Sequence, residues 1–281
     1  MSNLKRKIWR HLRTEAEDEA AREPILASFL YAAVINHRTF EEALSFHLAA
    51  KLASATIHAI TLRDVMMNAH AANPEIANDA VADLRAVHER DPACRGGYAT
   101  PFLYFKGYHA LQSYRVAHQL WKSGRQSLAL HLQSRMSEVF AVDIHPAARI
   151  GRGILLDHAT GVVVGETAVI EDDVSLLHEV TLGGTGKETG DRHPKVRRGV
   201  MISAGAKIFG NIEIGAGAKI GGGSVVLQSV PPHTTVAGVP ARPVGKPNVS
   251  QPAKDMDQHI EADSTRGTSR LRAAPEAGHK H

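Results

Sequence analysis

The chain has 281 residues, of which 43% are hydrophobic, 22% charged and only 5% aromatic, and it carries a formal net charge of +4. This is globular composition, which excludes disorder throughout, and no run approaches the ~20 apolar residues of a membrane span. The positive excess is spread thinly, with 17 Lys/Arg to 14 Asp/Glu over residues 1–140, 10 to 10 over 141–245 and 6 to 5 over 246–281. That excludes the concentrated basic surface of a nucleic-acid binder.

The single cysteine, Cys94, permits no intrachain disulfide. The first twenty residues are charged and lack the apolar core of a secretory signal. A cytoplasmic protein with neither membrane nor nucleic acid among its partners is the expectation.

Residues 1–140 read as an α-helical domain. Thr39 and Glu42 fit a capping box. Asn73-Pro74-Glu75 supplies a cap, a proline and a first-turn acid, and Asp91-Pro92 and Thr100-Pro101 read as further helix starts. Helical spacing from Phe102 through Phe105, His109, Gln112 and Val116 predicts one helix ending at Gly124, followed by another over Gln126–Phe140.

From residue 142 an aliphatic or small residue recurs every six positions: Ile144, Ile150, Leu156, Val162, Ala168, Val174 and Val180, then Val196, Ile202, Ile208, Ile214, Ile220 and Val226. A period of six fits neither a helix nor an alternating strand. It is the hexapeptide signature of a parallel β-helix, three flat faces per coil, with glycines such as Gly165, Gly205 and Gly221 at the corners. The fold class is therefore α+β, with the β-helix over 141–245. Residues 183–195 are polar and glycine-rich and interrupt the repeat as an extruded loop, a natural site for binding. Residues 246–281 lack periodicity and read as a flexible tail.

Few residue patterns here carry chemistry. Asp143 and His158 fall on adjacent coils near a corner. They form either a carboxylate–imidazole pair, in which one ring nitrogen is oriented and the other is free to take a proton, or a turn cap beside a locally bonded histidine. Asp157 either binds a cation or solvates a face. Arg192 and His193 in the loop suit a carboxylate, or are solvated loop residues. No metal is expected, because His145, His158 and His178 lack a ligand spacing. There is no G-x-S-x-G elbow, P-loop or dinucleotide fingerprint, and Cys94 has no evident base.

The runs VDIHPAARIGRGILLDHATGVVVGETAVI, VTLGGTGKETGDRHPKVRRGVMISAGAKIFGNIEIGAGAKIGGGSVVLQSVPPHTTVAGVPARPVGKP, ERDPAC and TPFLYFKGYHALQSYR resemble the serine O-acetyltransferase family of hexapeptide-repeat acyltransferases, closely over most of 85–247. The resemblance implies a left-handed β-helix and acetyl transfer from acetyl-CoA to the hydroxyl of L-serine, the first step of cysteine biosynthesis from serine, with feedback inhibition by L-cysteine. It casts His158 as general base and Asp143 as its partner. Asp91 and Asp157 become contacts for the substrate ammonium, Arg192 and His193 contacts for its carboxylate. Gly184, Thr185, Ala204, Lys219 and Gly222 become contacts for acetyl-CoA, with Lys219 either meeting a phosphate or standing as a solvated corner lysine. It further implies a trimeric β-helix paired through the helical domains into a hexamer.

Two departures stand out. Cys94–Tyr98 is one residue longer than the usual form. The run Met256-Asp257-Gln258-His259-Ile260 continues to His281, so no terminal isoleucine carboxylate is offered to O-acetylserine sulfhydrylase, and that complex is in doubt. Transfer to homoserine or a sugar, and a silent scaffold, are the alternatives that an assay with serine separates.

Overall fold

The computed structural model describes residues 3–94, 97–187 and 189–260. Eight helices come first: α1 (Asn3–Arg22), α2 (Ala27–Leu30), α3 (Phe40–Leu52), α4 (Ala59–Ala72), α5 (Glu75–Arg90), α6 (Ala99–Tyr104), α7 (Lys106–Lys122) and α8 (Gln126–Phe140). The capping box forms, with Glu42 N–H donating to Thr39 Oγ1 at 3.2 Å and Thr39 N–H to the Glu42 carboxylate. Asn73 Oδ1 accepts from Glu75 N–H at the start of α5.

Two of the predicted starts differ. Asp91 closes α5 instead of opening a helix: its N–H bonds Val87 O, and its carboxylate accepts Ala93 N–H at 2.8 Å. This makes an Asx turn, which competes with helix initiation. Helix α6 begins at Ala99, before Thr100, because Glu15 of α1 accepts the N–H groups of Tyr98 and Ala99 at 3.1 and 2.6 Å. This cap from a distant part of the chain leaves no local sequence signal.

The single helix predicted from Phe102 is two, broken at Phe105, whose backbone is extended. Two buried imidazoles hold the break: His109 Nε2 bonds Phe102 O at 2.8 Å and His47 Nε2 bonds Leu103 O at 3.0 Å. Carbonyls at the end of α6, orphaned by the break, find partners there.

After α8 the backbone turns left-handed at Ala141, and fifteen short strands follow. They stack into three sheets that form the faces of a left-handed β-helix of about five turns, parallel throughout except for the last strand, Ala241–Gly245, which pairs antiparallel with Thr235–Gly238. Ile144, Val164, Leu182, Ile208 and Val226 form the inward row of the first face. Ile150, Ile170, Val196 and Ile214 form that of the second. Leu156, Leu176, Ile202, Ile220 and Val236 form that of the third. Each fully buried aliphatic contributes roughly 1.5–3 kcal/mol, and close stacking leaves no room for rings.

This register corrects the predicted series between residues 157 and 182. Ile144 pairs with Val164, twenty residues on, while Val164 pairs with Leu182, eighteen on. Two additional residues therefore enter the first corner, and the large inward positions move from Val162, Ala168, Val174 and Val180 to Val164, Ile170, Leu176 and Leu182. The predicted four are buried as well, because each coil also turns a smaller inward residue two positions earlier. The added residues fall at His158 and Ala159, both left-handed with φ of 55° and 60°. The extruded loop is the second insertion, and after it the predicted register holds.

The helical region sits on the first coil through a buried polar network. Asp83 takes Arg115 at 2.7 Å, Gln112 Nε2 at 3.0 Å and Ile154 N–H at 3.0 Å, and Arg115 also donates to Gly151 O. Helix α7 starts so close to the coil that a Cβ on Gly107 would overlap the Leu156 carbonyl oxygen.

The segment read as a flexible tail differs over its described part. Pro252–Asp255 forms a helical turn, α9, with Pro252 and Ala253 buried, and Ser175 Oγ donates to Ala253 O at 2.7 Å. Ala253 packs with Leu177 and Met201, a contact that periodicity cannot reveal. Residues 261–281 lie outside the described residues.

Candidate active site

The chemistry-bearing residues collect at two edges of the prism, on either side of the first face. The edge between the third and first faces carries His158, His178, Ala204 and Gly222 in successive coils. They are tied corner to corner by Glu179 N–H to Thr160 O, Gly205 N–H to His178 O and Gly223 N–H to Ala204 O. The edge between the first and second faces carries the loop with Gly184, Thr185, Arg192 and His193, together with Glu166 and Thr167 of the coil beneath.

At the first edge a cleft of about 590 Å³ is lined by Asp91, Tyr104, Lys106, Asp157, His158, Met256 and others. His158 stands on the two-residue insertion with its side chain 76% exposed, and its ring meets that of His178 edge to face at 5.8 Å. Left-handed backbone at a residue other than glycine is strained. Here it is held by Thr160 N–H to His158 O, by Gly161 N–H to Ala141 O and by Lys106 on Thr160 Oγ1. Burial pushes the Asp157 carboxyl up, the neighbouring Asp91 carboxylate adds to this, and His158 opposes it. Two carboxylates sharing one partly desolvated cleft favour a bound cation.

Asp143 lies on the first face with Val142 and Ile144 buried on either side of it, so its carboxylate points outward. Its Oδ1 accepts Gln133 Nε2 of α8 at 2.6 Å, and no hydrogen bond joins it to His158 within this chain. The two are connected through the turn that ties Gly161 to Ala141.

At the second edge Arg192 pairs with Glu166 at 2.6 Å, which holds the Glu166 carboxyl below its ordinary range. His193 is buried above Gly165, where a Cβ would overlap the imidazole. Gly184 packs beneath Arg192, and Thr185 stands next to Gly210.

Ala204 and Gly222 approach each other on the first edge. Lys219 lies on the third face, buried, and donates to His259 O at 2.6 Å with Asp257 at 3.7 Å. The reading of Lys219 as a solvated corner residue is thereby corrected: the folded-back tail engages it.

Glu166, Thr167 and His178 were not singled out for this site from sequence. His178 lies twenty residues after His158, the spacing of the first coil, and that spacing is the signal that could have found it. Glu166 and Thr167 carry no such signal, since only folding brings them under the loop. Cys94 is buried and its thiol is pushed up to about 12, chiefly by burial. That is an inert thiol.

Stacked hexapeptide coils, an exposed imidazole at one edge and a basic loop at the next define an acyltransferase of the β-helix class. A family model for the N-terminal region of serine acetyltransferase matches residues 8–113. The chain is 62% identical over 253 residues to the serine acetyltransferase of Salmonella typhimurium, covering 90% of this chain and 92% of that protein. A serine acetyltransferase solved in complex with cysteine is similar with a TM-score of 0.89 at 56% identity, covering 92% and 100% of the two chains. One solved in complex with CoA gives a TM-score of 0.82 at 56% identity, covering 85% and 100%. The chain belongs to the serine acetyltransferase family.

Proposed function

We propose that the two edges form one active site in which His158 is the general base for acetyl transfer from acetyl-CoA to L-serine. The observation that carries this reading is the exposed His158 imidazole beside the Asp91 and Asp157 carboxylates in one cleft. The carboxylates take the serine ammonium. Arg192 and His193 take its carboxylate as hydrogen-bond donors. His158 removes the hydroxyl proton, and Asp143, which makes no direct hydrogen bond to it within the chain, supports it through the turn that ties Gly161 to Ala141. The serine oxygen attacks the thioester carbonyl, and the tetrahedral oxyanion collapses. The C–S bond breaks, and the sulfur of CoA leaves with the proton returned by the His158 imidazolium. No enzyme nucleophile is required.

Within one chain the width of the first face separates the carboxylates from Arg192 and His193. We infer that a neighbouring copy supplies the second edge, in a trimer whose helical domains pair it into a hexamer. Acetyl-CoA runs along the first edge past Ala204 and Gly222, where small residues let the pantetheine reach the backbone, and Gly184 and Thr185 border it from the neighbour. At Lys219 a CoA phosphate replaces the Asp257 carboxylate. L-Cysteine carries the same ammonium and carboxylate as serine and inhibits by occupying their contacts. A reduced, buried Cys94 fits the cytoplasm. Among the described residues no helix is long and apolar enough to cross a membrane.

Release of CoA thiol on addition of serine, competed by cysteine, tests the activity. His158→Ala is expected to lower kcat by about 10²–10⁴-fold. An unchanged kcat removes His158 from the role of base.

A further inference from the structure

We propose that Thr167 is a positioning residue that locks His193 as the Nε2–H tautomer, making it a neutral, fixed hydrogen-bond donor to the substrate. The lock itself stands on hydrogen bonds within the chain. Its use rests on the reading of His193 as a carboxylate contact.

A threonine hydroxyl offers one hydrogen and two lone pairs. Thr167 Oγ1 accepts Arg192 N–H at 3.0 Å and His193 N–H at 3.1 Å, so both lone pairs are taken. The hydroxyl hydrogen is left for an acceptor, and His193 Nδ1 at 2.9 Å and the Asp191 carboxylate both stand beside it. The backbone N–H of Thr167 donates to the same Nδ1 at 3.2 Å. A backbone amide cannot reverse its role, so a hydrogen on Nδ1 would face a second donor. Nδ1 is therefore the unprotonated nitrogen and Nε2 carries the hydrogen, on the rule that the partner of one ring nitrogen decides the state of the other. Among the described residues, Nε2 has no hydrogen-bond partner.

The surroundings reinforce the lock. The ring is buried over Gly165, which alone leaves it space. Lys195 Nζ closes the loop base by donating to Thr167 O at 3.1 Å and to His193 O and Asp191 Oδ1, both at 2.6 Å. The charged and titratable groups facing the ring are Arg192, Glu166, Lys195 and His145. Burial, then Arg192 and Lys195, disfavour a charged imidazole, against Glu166. Two consecutive residues thus act in parallel, Glu166 orienting the Arg192 guanidinium and Thr167 orienting the His193 ring. The two site imidazoles separate in role, with His158 exposed and free to exchange a proton while His193 is held in one state.

The test uses the full-length protein labelled with ¹⁵N-histidine, with the His193 ring signals identified by their loss in His193→Asn. The expected spectrum shows Nδ1 unprotonated and Nε2 protonated, unchanged from neutral into mildly acidic pH. Thr167→Val leaves only the backbone N–H on Nδ1 and frees the Arg192 and His193 N–H groups, and is expected to broaden the His193 ring signals and raise the KM for serine about tenfold, the cost of a misplaced hydrogen bond, with kcat and the KM for acetyl-CoA little changed. Thr167→Ser, which keeps the hydroxyl, is expected to restore both. A wild-type His193 that titrates in mild acid or carries its hydrogen on Nδ1 overturns the lock, as does Thr167→Val with wild-type ring signals and KM. Should Thr167→Val fail to fold, the wild-type spectrum and Thr167→Ser still decide. If the spectrum is as expected but His193→Asn leaves the serine KM unaltered, the lock stands and the carboxylate reading falls.

Discussion

Individual side chains carry this site through their immediate neighbours. Arg192 is held by Glu166, whose carboxyl lies below its ordinary range because of that pair. A carboxyl so depressed keeps its pair at every pH above the ordinary carboxylate value and loses it only as pH falls through the lowered one. Glu166→Gln removes the charge and frees the guanidinium. The KM for serine should rise severalfold, with a smaller change in kcat, in steady-state assays at neutral pH. Equal kinetics would show that Arg192 needs no anchor.

Whole elements are placed by contacts that a single residue can break. Helix α7 lies against the first coil because Gly107 has no Cβ to meet the Leu156 carbonyl. Gly107→Ala should destabilise the fold by about 1–3 kcal/mol, the usual range for overpacking, seen as a lower Tm. Since Leu156 leads directly into Asp157 and His158, kcat should fall too. The same docking depends on Asp83 and Arg115, both buried. Asp83→Asn leaves the Arg115 cation without its full partner and orients an amide against Ile154 N–H or the guanidinium. A loss of about 3 kcal/mol is expected in denaturant titration, since the buried cation keeps only the Asp79 carboxylate at 3.5 Å.

At the scale of the molecule, the helical region buries three imidazoles that must stay neutral. His47 and His70 are both lowered to about 4 by burial, and His109 lies well below its ordinary value for the same reason. In the unfolded chain each titrates near its ordinary value, so on acidification the unfolded state takes up protons first. Stability is complete above the ordinary imidazole range and declines as pH falls from there toward about 4 for His47 and His70. Each such group contributes a slope of up to about 1.4 kcal/mol per pH unit within its window. Thermal melts between neutral pH and pH about 5 should show a steep fall in Tm, reduced in His70→Gln. A flat Tm across that range would contradict neutral burial of these rings.

How much was legible follows from the range of the interactions concerned. The hexapeptide period, the capping box at Thr39 and the helix over Gln126–Phe140 are local, repeating or both, so a linear reading meets their cause directly. Aliphatics every six residues and glycines at corners suit one architecture, and 13 of the 14 aromatic residues lie before residue 141, where a helical core has room for rings. His158, Asp157, Arg192 and His193 were visible through chemistry and resemblance. Contacts between distant segments were not. Glu15 caps α6 from 84 positions away, the corner insertion shifts the register without changing the residue types, and Thr167 meets His193 across 26 positions. Ala253 reaches Ser175 across 78. The class of fold and the groups able to do chemistry can be read along the chain, because a six-residue period and side-chain type are local features of it. Only the tertiary structure decided which edge each group occupies, which partner orients it and which nitrogen holds its proton, because those depend on distances that no spacing along the chain encodes.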